Sequence, residues 1–287
     1  MTALAETLSL WLARGEPAVL VTVAATRGST PREAGARMLV GAAGTLGTVG
    51  GGRLELEAVK AARALIAGGE DTLTMEVPLG AAIGQCCGGH VVLKLERASA
   101  ALAEHLAQLE LEERRAAPTI YLFGAGHTGK AMAAALALLP LRLVWIDNRA
   151  EEFPAPMPGR TERVIAAHPA DLIAEAPSGA CFLVLTHSHA LDFELVEAVL
   201  ARGDFRYLGL IGSTTKRRRF ERWYTARGRD AADLTRLTCP IGIGKVHDKR
   251  PEVIAALVAA EVVMVLAAAT DHRAIRTAHE VGCESLS

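Results

Sequence analysis

Aromatic residues are scarce in this chain. They make up 4% of its 287 residues, so the core has to be aliphatic and rich in alanine. Net charge is almost absent as well. A formal charge of −1 supplies no long-range field to gather nucleic acid or an anionic membrane, which leaves binding to local, site-specific contacts. The five cysteines, Cys86, Cys87, Cys181, Cys239 and Cys283, are odd in number, and the first residues lack the basic stretch and cleavage site of a secretory signal. A disulfide framework is therefore not expected, and a reducing cytoplasm is. The most apolar run, residues 253–269, is interrupted by Glu261 and falls short of the ~20 residues that span a bilayer. It reads as a buried helix, with no membrane partner.

What is present is globular in composition, with 51% hydrophobic and 22% charged residues, and long enough for two domains. Residues 1–98 mix strands at 18–24, 37–40, 72–77 and 90–95 with a helix at 53–67, an α+β domain. Residues 99–117, rich in Ala, Leu, Glu and Arg and closed by Pro118, predict a helical connector. From 118 to 228, short apolar runs at 119–123, 141–146, 163–166, 182–185 and 207–211 alternate with helical stretches, the rhythm of a doubly wound parallel sheet. Residues 229–287 form a C-terminal segment with a helix whose packing is left open. The fold class is thus α/β, an N-terminal α+β domain followed by a Rossmann-type parallel-sheet domain with a C-terminal helix.

The strongest local signal is Gly124-Ala125-Gly126-His127-Thr128-Gly129, set between the strand 119–123 and a helix at 130–138. Gly124 permits the tight turn, Gly126 lets backbone N–H groups approach an anion, and Gly129 lets the helix pack closely on the strand. A phosphate is expected at that helix start. A second strand ends in Asp147, about 20 residues on, where a carboxylate meets a ribose hydroxyl in dinucleotide-binding proteins. Lys130 follows Gly129 as in a P-loop, but Ala131 replaces the hydroxyl residue that would serve Mg²⁺.

Ligands of open α/β sheets lie beyond the carboxyl ends of the strands. There the sequence places His187 and His189, followed by Asp192, and further on Ser213; His127 joins them from the glycine turn. The imidazoles read as hydrogen-bonding groups, or as two local ligands of a metal whose third is missing. Lys216-Arg217-Arg218-Arg219 reads as a solvated helix face, and nucleic acid is not expected. In the first domain, Gly84-Gln85-Cys86-Cys87-Gly88-Gly89 puts two adjacent thiols in a glycine-flanked turn, either small buried side chains or thiolates able to meet a soft metal. The cluster Gly47 to Gly52 opens a helix start with Arg53 as counter-charge to an anion. Lys245 and His247 lie in a loop that is either solvated or faces an anion.

In order along the chain, Gly28-Ser29-Thr30-Pro31-Arg32, Gly47 to Glu55, Gly84 to Gly89, Phe123 to Gly129, Thr186 to Leu191, Gly209 to Phe220, Pro240-Ile241-Gly242 and Pro251-Glu252-Val253-Ile254-Ala255 resemble the XdhC/CoxI family of xanthine dehydrogenase accessory proteins. Where many relatives carry a cysteine after the second glycine cluster, this chain has Arg53. The resemblance implies a chaperone that binds the molybdenum cofactor (molybdopterin), shields it while a cysteine desulfurase exchanges an oxo ligand for sulfur, and inserts it into the molybdenum subunit of xanthine dehydrogenase. No turnover of its own is implied. The cofactor phosphate would sit on the Gly124–Gly129 turn, with Asp147, His127, His187, His189, Ser213 and Arg53 around it. Cys86 and Cys87 are the candidates for contact with the molybdenum end. Oligomeric state, homo-oligomer included, is left open. The alternative is an NAD(P)-dependent oxidoreductase using the same turn and Asp147.

Overall fold

In the computed structural model, residues 4–42, 44–68, 70–79, 88–243 and 248–283 are described, the last fifteen of them as backbone only. Cys86, Cys87, Lys245 and His247 lie outside them. The chain divides into two compact units, residues 2–115 and 116–287.

In the first unit an antiparallel sheet of order β3-β2-β1-β5-β4 is built from β1 (Ala18–Arg27), β2 (Arg37–Gly41), β3 (Thr45–Gly47), β4 (Thr72–Pro78) and β5 (His90–Arg97). Alternation along β1 sends its side chains to two cores. Val19, Val21 and Val23 face α2 (Gly52–Gly68), which presents Leu54, Ala58, Ala62 and Leu65 at helical spacing. Ala18 and Leu20 face Leu8 of α1 (Leu4–Ala13) and Leu106 of α3 (Ala100–Ala116). The helix expected to connect the domains is therefore packed into the first unit. The three-residue β3 was not foreseen, being too short to show a period.

The second unit carries a parallel sheet of order β10-β9-β6-β7-β8: β6 (Thr119–Phe123), β7 (Arg142–Asp147), β8 (Glu162–Ile165), β9 (Cys181–Val184) and β10 (Tyr207–Leu210). These are the five expected strands, with no bound moved by more than one residue. The run Ile120 to Phe123 is wholly buried because both faces of its strand are covered. Tyr121 and Phe123 pack with Leu195, Val196 and Val199 of α6 (His189–Arg202), and with Phe220 and Tyr224 of α7 (Thr214–Ala226). Ile120 and Leu122 pack with Met132, Ala133 and Leu136 of α4 (His127–Leu136). Between them in the chain is the short α5 (Asp171–Glu175).

The C-terminal helix α8 (Pro251–Cys283) lies on α4 with Ala255, Val258 and Val262 buried, while Met264 is 61% exposed. The helix read from the apolar run as buried is thus buried along one stripe. Its Pro251–Ala268 stretch is long and apolar enough to cross a membrane by length and composition alone. Glu261, the charge that interrupts that stretch, accepts the Gly242 N–H at 2.6 Å and so ties the preceding loop to the helix.

Candidate functional site

The strand order reverses between β6 and β9, which opens a crevice where both strands end. The turn after β6 fills one side of it. Gly124 donates its N–H to the Ile146 carbonyl at 2.8 Å and accepts the buried Trp145 indole N–H at 2.9 Å. Its φ of +118° and the closeness of the Leu185 carbonyl oxygen leave no room for a side chain. A Cβ at Gly129 would meet the Gly124 carbonyl oxygen, so the start of α4 can press onto the turn only with glycine there. Gly126 differs. Nothing stands within 4 Å of where its Cβ would be, so packing does not require glycine; its bareness leaves the space before α4 open.

That space faces N–H groups no side chain serves. Gly126 caps α4 through its backbone alone. At three other helix starts the chain supplies its own acceptor, Ser99 for α3, Ser188 for α6 and Ser213 for α7, while the short α5 has none. At the glycine cluster before α2, the Glu55 carboxylate takes the Val49 and Gly51 N–H groups at 3.3 and 3.2 Å and the Thr48 hydroxyl. The anion expected there is the chain's own, and Arg53 is an exposed side chain 4.0 Å from Glu57. Lys130 pairs with Glu152 at 2.8 Å.

Asp147 closes the turn from below. Its Oδ2 accepts the Ala125 N–H at 2.6 Å and an Arg149 guanidinium N–H at 2.9 Å; its Oδ1 accepts the Arg149 backbone and Nε hydrogens, both at 3.0 Å. Four hydrogen bonds use the roughly four lone-pair sites a carboxylate has. Burial pushes its carboxyl upward, but the Arg149 guanidinium and the two backbone N–H groups outweigh this and hold it below the ordinary value. Its side chain is 2% exposed, which gives a ribose diol no free acceptor.

The other side of the crevice is the loop between β9 and α6. Asp192, wholly buried, accepts the Thr186 N–H at 2.9 Å and the Thr186 hydroxyl at 2.7 Å, while its second oxygen takes the Lys216 ammonium. Two hollows flank this loop and share Thr186. The smaller, about 10 Å³, is lined by Gly124, Asp147 and His187; the larger, about 350 Å³, by His189, Ser213 and Lys216. His127 lines neither, and all three imidazoles are exposed. Among the described residues no group of three His, Cys, Asp or Glu side chains is placed to hold a metal. The basic run at 216–219 is not one solvated face. Lys216 turns in to Asp192, Arg217 donates to the Leu234 and Leu237 carbonyls, and Arg218 and Arg219 are exposed.

Sequence reasoning missed Arg149, Trp145 and the buried role of Asp192 with Lys216. Only the Asp-x-Arg spacing after a strand offered a signal, since the other two partnerships are tertiary.

A parallel sheet with a helix start at its switch point that no side chain caps defines a Rossmann-type domain. Two family models match the chain, the XdhC Rossmann domain over residues 120–262 and the XdhC and CoxI family over residues 11–77. Together they take in most of it, and the chain belongs to the XdhC and CoxI family. The uncharacterized protein YqeB of Escherichia coli (strain K12) is 27% identical over 254 residues, which are 87% of this chain and 43% of that protein. The chain thus spans less than half the length of this curated relative. A crystal structure of a Bacillus halodurans protein described as a xanthine dehydrogenase superposes with a TM-score of 0.74 at 19% identity, over 93% of this chain and 96% of the other. The likeness is one of fold.

Proposed function

We propose that this chain is a maturation protein for xanthine dehydrogenase that holds the molybdenum cofactor by its phosphate and passes it to the molybdenum subunit. One contrast in the crevice supports the reading: the start of α4 has N–H groups free of any side-chain cap, while Asp147 has no acceptor left. The first fits a phosphate and the second does not fit a ribose, which favours a single-phosphate ligand over a dinucleotide. The first-turn N–H groups of His127, Thr128 and Gly129 would hold the phosphate, and Gly126 leaves it room. The bound cofactor contributes the molybdenum centre that the dehydrogenase later uses; this chain binds, orients and shields it. Cys86 and Cys87 remain the proposed contacts for the metal end, with a cysteine desulfurase as the sulfur source. The setting proposed is the cytoplasm, and no turnover is required.

The deciding experiment is gel filtration of the protein mixed with molybdenum cofactor, with pterin and molybdenum measured in the protein peak. Both are expected to co-elute. Elution without them, together with tight binding of NADH or NADPH, would turn the assignment toward an oxidoreductase.

A further inference from the structure

The larger hollow has a composition of its own. Phe193 and Ile211 form an apolar wall, His189 and Thr215 stand beside it, and Lys216 and Arg219 bring two cations. No carboxylate lines it. Arg219 has no ion pair or hydrogen bond to any described residue, unlike Arg217 two positions away. Lys216 is held across the floor because Gly212 has no side chain; a Cβ there would stand 2.5 Å from the lysine Cδ. Of its three ammonium hydrogens, one goes to Asp192 and one to the Ile211 carbonyl at 2.8 Å. The third is left for whatever enters, on a side chain only 11% exposed. The hollow adjoins the glycine turn through Thr186, which also lines the smaller one.

We propose that this hollow is an oxyanion subsite, with Arg219 as counter-charge, the third Lys216 N–H as donor and the ligand body against Phe193 and Ile211. The volume of about 350 Å³ lies within the range of small-molecule pockets, whereas the neighbouring hollow of about 10 Å³ holds little more than a water. Only the identity of the ligand rests on the proposed function. The shared chemistry is a set of anionic oxygens, which a phosphate or an oxo-metal group would each present.

The test titrates the full chain with inorganic phosphate and, separately, with molybdate, following the His189 imidazole signal by NMR, assigned through His189→Gln. Wild type is expected to shift with at least one of them. Arg219→Gln should weaken that binding about tenfold or more, and Arg219→Lys should recover part of it. Arg222→Gln removes the same charge from α7 outside the hollow and should change it less than twofold. The anion bound more tightly identifies the class of oxyanion that the subsite takes. No shift with either anion in millimolar excess, or equal affinity in Arg219→Gln and Arg222→Gln, overturns the subsite. Arg219-dependent oxyanion binding by a chain that retains no molybdenum cofactor would leave the subsite standing and remove the proposed function instead.

Discussion

Lys216 on α7 and Asp192 on α6 form a buried ion pair that joins the loop after β9 to the loop after β10. Asp192 is wholly buried and also holds the Thr186 backbone and hydroxyl, so the carboxylate is satisfied only while the ammonium is in place. Removing one partner of such a pair leaves an uncompensated charge and costs about 3–5 kcal/mol, more than the pair itself contributes. Lys216→Met should therefore be strongly destabilised. Lys216→Met combined with Asp192→Asn, which keeps an acceptor for Thr186, should lose clearly less than that single change. Urea denaturation of Lys216→Met, Asp192→Asn and the double variant measures it, and purely additive losses would refute the coupling.

Asp147 gives the fold a pH signature. Its pKa lies below the ordinary value in the native state, so its contribution is complete above the unfolded value of about 3.9 and fades as pH falls through the native one. Wild type should exceed Asp147→Asn by about 2 kcal/mol at pH 7, the scale of a hydrogen bond to a charged group, and the gap should close below pH 4. A gap that stays constant down to pH 3 would mean the charge on Asp147 does not matter.

The sequence made the parallel sheet and its turn legible because those signals are local. The buried run at Ile120 to Phe123, the three glycines and the strand ending at Asp147 all declare themselves within some thirty residues. The roles of single side chains were less legible, for a physical reason. Glu55 seating itself in the glycine cluster before α2, and Lys216 leaving its charged neighbours for Asp192, depend on which polar group lies nearest in three dimensions. Asp147 shows the limit most clearly: position suggested a ribose ligand, whereas Arg149 and the Ala125 N–H take up its oxygens.

Cys181 and Cys239 are both buried, and burial pushes each thiol up to about 11. Since the thiolate is the reactive species, both should resist Ellman's reagent at pH 8 in the folded protein and react on unfolding. Peptide mapping after labelling checks this. Rapid native labelling of either would show that the segment around it opens readily.

The three glycines of the turn should separate fold from function, because space is refused at two of them and open at the third. Gly124→Ala places a side chain at positive φ against the Leu185 carbonyl, and Gly129→Ala sets one against the Gly124 carbonyl. Both neighbours are backbone and cannot swing aside. Strain at such positions is on the order of 1–3 kcal/mol, so each variant should melt several degrees below wild type and lose ligand as a by-product. Gly126 has open space, and its φ of −68° and extended ψ suit any residue. Gly126→Ser should keep or slightly raise the melting temperature, because serine at the N-cap accepts a first-turn N–H of α4, and glycine lacks that acceptor. That same hydroxyl competes with the phosphate for the N–H. Gly126→Val, without an acceptor, should obstruct the phosphate by bulk alone. Cofactor retention on gel filtration should fall in both, with the fold of Gly126→Ser intact. Undiminished retention in a well-folded Gly126→Ser would show that the α4 start is not where the phosphate lies.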